Sequence, residues 1–157
     1  MPQFVGYPLV PSNDGTVIDT VRTNKSGPLF MDSNGNQYRY VKNVPGAVTL
    51  VVGDVVKCIQ GPTILGFTDI KQTEAADADK CIPIGVAMSA LAAGNFGYIL
   101  ASGAKSAKIS GSVTFGQALE LSNTVGAFRT KNLGDCLAGC LESATAPALS
   151  NVYVKLW

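Results

Sequence analysis

Short apolar runs, each cut off by Gly, Asn or Ser, recur along most of this chain and leave no helical period of useful length. They are Val48-Thr49-Leu50-Val51-Val52, Val55-Val56-Lys57-Cys58-Ile59, Ile82 to Met88, Gly97 to Leu100, Lys105 to Ile109, Val113 to Leu121 and Asn151 to Trp157. An earlier hairpin joins Leu29-Phe30-Met31 to Gln37-Tyr38-Arg39-Tyr40-Val41-Lys42 across Asp32-Ser33-Asn34-Gly35-Asn36. Asn34-Gly35 is a strong tight-turn signal because both residues tolerate positive φ. Tyr38 and Tyr40 fall on one face of the outgoing strand, Arg39 and Val41 on the other. In the last run Val152, Val154 and Leu156 share a face, opposite Tyr153, Lys155 and Trp157. Only Glu74 to Lys80 and Ala138 to Ala144 offer a helical turn. The expected fold is all-β, a compact β-sandwich or barrel of short strands with an extended N-terminal arm.

The arm is residues 1–28, and residues 29–157 form a single β domain, a size that buries a sizeable core. Pro2, Pro8, Pro11 and Pro28 deny the arm regular pairing. Yet it carries Phe4, Val5, Tyr7, Leu9 and Val10, which a solvated tail would not need. These residues either fold back over their own core or lie on a neighbouring subunit, as strand-addition arms do. Pro2, Phe4, Val5, Tyr7, Leu9 and Val10 are therefore the candidate contacts with a neighbouring subunit. Gly46-Ala47-Val48-Thr49-Leu50 resembles Gly111-Ser112-Val113-Thr114-Phe115, but five residues in a Val/Gly-rich chain read more simply as coincidence than as duplication.

Charge narrows the function. Charged residues make up 15% of the chain, against about 25% in typical domains, and the net charge is +1. Such balance does not suit a phosphate-backbone binder, and so sparse a surface suits coverage by neighbours. There is no histidine, which excludes Ser-His-Asp and Cys-His catalysis and histidine-held metals. The uncharged stretch 81–104 is interrupted by Pro83, Gly85, Gly94, Asn95 and Gly97, so it reads as strands and turns rather than a membrane span. No leader is visible at the N-terminus.

The remaining motifs give no chemistry. Asp32-Ser33-Asn34-Gly35-Asn36 opens like a calcium loop, but Gln37 and Asn43 stand where Gly and a bidentate Glu are required. Cys136 and Cys140 form a loose pair with Cys58 and Cys81 elsewhere, a pattern of small buried hydrophobes rather than zinc knuckles. Glu74, Asp77 and Asp79 lie on one exposed segment, whereas glycosidase acids face each other across a cleft. Lys105 and Lys108 lack a phosphate-cradling motif, and Gly94-Asn95-Phe96-Gly97 reads as a turn. Tyr38, Tyr40, Tyr98, Tyr153 and Trp157 could stack on sugar, though core or interface is the plainer reading for aromatics in patterned strands. No metal, cofactor or catalytic constellation is expected.

Over about residues 46–157 the order of motifs resembles head decoration (capsid cement) proteins of tailed bacteriophages. The resemblance rests on Gly53-Asp54-Val55-Val56, Ile84-Gly85-Val86-Ala87 and Ala92-Ala93-Gly94-Asn95-Phe96-Gly97-Tyr98-Ile99. It continues through Gly103, Gly116-Gln117-Ala118-Leu119-Glu120-Leu121, Cys136-Leu137-Ala138-Gly139-Cys140-Leu141-Glu142 and Val152-Tyr153-Val154-Lys155-Leu156. It implies a non-enzymatic virion protein on the outer capsid surface, commonly a homotrimer, that clamps adjacent copies of the major capsid protein. Nucleic acid and membrane are not implied partners. Assembly in a host cytoplasm would keep the cysteines reduced. The alternatives are a fibre, adhesin or carbohydrate-binding β module and, further off, an enzyme using carboxylates alone.

Overall fold

A computed structural model describes residue 16 and residues 18–20, 29–59, 69–75, 81–132, 136–145 and 148–155. Among these the fold is all-β, without an α-helix. The strands are β1 Ile18–Asp19, β2 Leu29–Met31, β3 Gln37–Asn43, β4 Val55–Cys58, β5 Asp69–Gln72 and β6 Pro83–Ala87. They continue with β7 Phe96–Ile109, β8 Ser112–Val113, β9 Ala118–Leu121, β10 Phe128–Thr130, β11 Ala138–Cys140, β12 Ala144–Thr145 and β13 Ala148–Lys155.

Two closed rings of strands share β7. Its first half pairs with β3 and with β6; β6 pairs with β4, β4 with β5, and β5 returns parallel to β3. The second half repeats the circuit: β7 pairs with β13, then come β11 and β9, and β10 returns parallel to β7. β3, β4, β5, β6 and the first half of β7 thus correspond to the second half of β7, β9, β10, β11 and β13. The correspondence holds residue by residue. Val41, Val56, Ile70, Ala87 and Ile99 fill the first ring where Ala107, Leu119, Phe128, Cys140 and Val152 fill the second. The Leu50–Leu91 bridge takes the place of the Val113–Ala144 pair.

Several expectations change here. Coincidence was the simpler reading of the two glycine-led pentapeptides, and the fold is nonetheless duplicated, in a different register: Leu50 matches Val113, not Phe115. Val48 to Val52 forms no strand; only Leu50 bridges to Leu91, while Val48, Val51 and Val52 are exposed. Gly97 to Leu100 and Lys105 to Ile109 are one continuous strand, in which Gly103, at φ 131°, keeps its pairing with Val154. Conversely, Val113 to Leu121 is broken by a turn at Gly116 (φ 83°). Ala138 to Ala144 is not helical; it pairs through β11 and β12. The helical turn read over Glu74 to Lys80 lies mostly outside the described residues.

The hairpin forms at the residues read, with Gly35 at φ 80°, although Asn34 does not take positive φ. The Asp32 carboxylate accepts from the Asn34 and Asn36 backbone N–H groups, from Asn36 Nδ2 and from the Tyr38 hydroxyl, at 2.8–2.9 Å. Its oxygens are committed to the turn, which explains these residues without calcium. Asn36 Oδ1 in turn accepts from Ala104 N–H at 2.9 Å, beside Gly103, where a side chain would strike the Asn36 amide. Tyr38, Tyr40 and Tyr98 lie fully buried on the face of the first ring turned away from its own interior, with Phe30 edge-on to Tyr98 at 5.3 Å. β3 therefore buries both faces. Removing such rings from water contributes on the order of 3 kcal/mol each.

Directly opposed residues show how the halves diverged. Glu120 faces Arg129 and bonds its Nε at 2.8 Å, whereas the matching pair is Lys57 opposite Lys71. Glu74 resolves that like-charge contact by bridging both ammonium groups, at 3.4 and 2.5 Å.

Burial alone would raise the Asp32 pKa, but the bonds from Asn36, Tyr38 and Asn34 overcome it and hold the carboxyl below its ordinary value. Glu74 is lowered as well, first by its bond to Lys71 and then by the charge of Lys57. A carboxylate depressed in the folded state stabilises fully above its unfolded pKa and loses that contribution as pH falls through the folded one. Asp32→Asn should therefore cost about 2 kcal/mol in urea unfolding at pH 7, and its stability should decline less than the parent's on acidification below roughly pH 4.

Candidate functional site

The most distinctive surface is the joint between the two rings. The turn Val51-Val52-Gly53-Asp54 leads from the Leu50 bridge into β4, with Asp54 N–H bonded to Val51 O and the Asp54 carboxylate accepting from Val51 N–H at 2.8 Å. Gly53 has φ 88°, and a β-carbon there would overlap Leu149. Its N–H donates to Ala87 O in the first ring and its carbonyl accepts from Lys108 N–H in the second, both at 2.9 Å. The Lys108 ammonium pairs with fully buried Asp54 at 2.5 Å. Behind them Val55 N–H donates to Gly126 O, and Gly126 N–H to Thr73 O. The turn of one ring is thus seated against the strands of the other.

Around this seat a concavity of about 480 Å³ is lined by Val52, Lys108, Val125 and Leu149, among others. Val52, Val125 and Leu149 remain 43%, 47% and 46% exposed. Lys108 is the cation in this lining, and Asp54 already holds it. Such a surface is equipped to cover apolar side chains by removing its own carbon from water. Among the described residues no group of three or more His, Cys, Asp and Glu side chains gathers to hold a metal.

The six arm residues Pro2, Phe4, Val5, Tyr7, Leu9 and Val10 lie outside the described residues, as do Asp77, Asp79 and Trp157. Of the arm, Ile18–Asp19 pairs with Gly97 and Phe96, and Asp19 accepts from the Tyr40 hydroxyl at 2.6 Å. Tyr38, Tyr40 and Tyr98 are core, while Tyr153 is half exposed beside the outward Lys155. No disulfide joins the four cysteines: Cys140 is buried, Cys58 and Cys81 half-buried, and Cys136 exposed, so the buried reading fails for Cys136. Glu74 serves the two lysines rather than a cleft. No helix among the described residues is long and apolar enough to cross a membrane.

Val52 and Phe115 were missed as surface residues because they sit in apolar runs that read as strand, whereas Val125 and Leu149 fell between the runs. The available signal was position. Val52 and Phe115 each stand immediately before a glycine that turns the chain with positive φ.

No protein-family model matches the sequence, and no curated protein matches it. Among solved structures the fold is similar to the head fiber gp8.5 N base of bacteriophage phi29, with a TM-score of 0.55 at 14% identity. That match covers 75% of this chain and 92% of the phage chain.

The joint makes opposite demands on two matched glycines. Gly53→Ala should cost about 3 kcal/mol or more, from positive φ and collision with Leu149. Gly116 has nothing within 4 Å of the same position, so Gly116→Ala should cost about 1 kcal/mol, from backbone strain alone. Thermal unfolding of the two variants checks the difference, and equal losses would mean the Gly53 turn is not clamped.

Proposed function

We propose that this chain is a structural component of a tailed-phage head, a non-enzymatic decoration protein that binds the outer capsid surface and clamps neighbouring major capsid subunits. The observation that carries the proposal is the shared fold with the head fiber N base, over three quarters of the chain. The motif order of residues 46–157 supports the same reading, as does a surface with few charges. Trimeric assembly belongs to the proposal. Three copies on one local three-fold would present three sets of contacts, and polyvalent attachment turns modest single contacts into durable holding when the geometry lets all engage.

In this role the chain does no chemistry. Apolar residues of the arm, Phe4, Val5, Tyr7, Leu9 and Val10, would be buried on the shell or on a neighbouring copy. Ordering them costs conformational entropy, offset by the area they cover.

Co-sedimentation with expanded, DNA-free heads lacking the protein, compared with unexpanded procapsids, tests the proposal. The expected result is saturable binding that prefers expanded shells, at a whole number of trimers per capsomer. A folded protein that binds neither shell would point instead to a fibre or glycan-binding module. In the same assay Phe4→Ala and Tyr7→Ala should each weaken attachment by roughly five-fold or more, while Asp77→Asn leaves it unchanged. Equal effects from both classes would remove the arm from the interface.

A further inference from the structure

The duplication places one docking turn in two settings. In the first ring Val51-Val52-Gly53-Asp54 is seated on Lys108 and Leu149 of the second. The matching turn of the second ring, Thr114-Phe115-Gly116-Gln117, has the same internal bonding. Thr114 N–H donates to Gln117 Oε1 at 2.8 Å, as Val51 N–H does to Asp54. Gln117 N–H returns to Thr114 O, and Gly116 N–H donates to Cys140 O as Gly53 N–H does to Ala87 O. Yet no atom approaches the β-carbon position of Gly116, and Phe115 is 70% exposed, the most exposed of the large hydrophobic side chains described. Among the described residues this turn is bonded to Cys140, Ser143 and Thr130 of its own ring and has no seat on the other.

The two residues that hold the first turn have counterparts as well, one of them flanked by β1. Lys108 and Leu149 correspond to Lys42 and Phe96, which are half-buried on the first ring, paired with each other across β3 and β7. The Lys42 ammonium stands 5.5 Å over the Phe96 ring. We infer that the Phe115 turn of one copy docks on the Lys42–Phe96 surface of a second copy, repeating between molecules the contact that joins the rings within one. A large apolar residue and a ring under a lysine suit each other, since the aromatic edge of Phe115 can pack on Phe96 while the lysine stem covers both. The contact is confined to the turn and its seat.

Such a contact is heterologous: each copy offers a turn and a seat, so it closes into a ring or propagates. It deepens the trimer proposed above by naming the surfaces that meet, and it is measured without heads. Binding to heads could therefore fail while this contact stands, and the reverse.

Sedimentation velocity of the full chain over a range of concentrations supplies the test. The parent should self-associate. Phe115→Asp and Lys42→Glu should each be monomeric with unchanged circular dichroism. Mixed one to one they should form a dimer and nothing larger, because the intact turn of one variant meets the intact seat of the other. Gln117→Asp, which restores the carboxylate found at Asp54, should tighten association about three-fold. A monomeric parent, variants that associate like the parent, or a mixture that stays monomeric would each overturn the inference.

Discussion

Everything in this fold depends on β7. Its 14 residues close one ring and open the next, so its hydrogen bonds serve two hydrophobic interiors at once. A strand of that length in a structure of short strands passes from one ring to the next near Gly103, and that crossing is held. Asn36 holds it from outside, accepting from Ala104 N–H where Gly103 leaves room for the amide. The hairpin turn that presents Asn36 is organised by the buried Asp32 carboxylate. A chain of polar contacts therefore runs from a surface turn to the middle of the shared strand.

The second constraint is how the rings are held against each other. A shared strand alone would leave a hinge at its midpoint. The Gly53 turn removes that freedom with backbone bonds to both rings and an ion pair, Asp54 with Lys108, whose carboxylate is out of water. A buried carboxylate without a partner would be costly, so the pair makes separation of the rings unfavourable. Rigid placement of apolar side chains around this joint is useful to a protein whose proposed work is to hold others. The side chains there need little ordering on contact, and less of the area they bury is offset by lost freedom.

Much of the strand inventory was legible. The Asn34-Gly35 hairpin, β4, β6 and the alternation of Val152 and Val154 against Tyr153 and Lys155 follow from turn chemistry and period-two patterning. The failures share a cause. Val48 to Val52 looks like a strand because β-branched residues favour one, yet the turn at Gly53 and the absence of a neighbouring edge leave a single bridge. Gly103 looks like a break, yet pairing on both sides of it carries the strand through. Local preference is decided by which edges are available, and a sequence does not display edges. The candidate surface was less legible still, because Val52, Val125 and Leu149 are apolar like the core and differ from it only in what covers them.

Turn chemistry and alternation determined from the sequence alone that the chain would be β-structured and punctuated by glycine, since these depend on residues within a few positions of one another. Tertiary structure decided that the β-structure closes twice around one strand. That outcome is set by register, in which Leu50 answers Val113 although the more similar letters align Leu50 with Phe115. It also decided that one of two equivalent turns is seated and the other open. Both decisions rest on packing between residues far apart in sequence, where hydrogen-bond partners and excluded volume select among pairings that local composition permits equally.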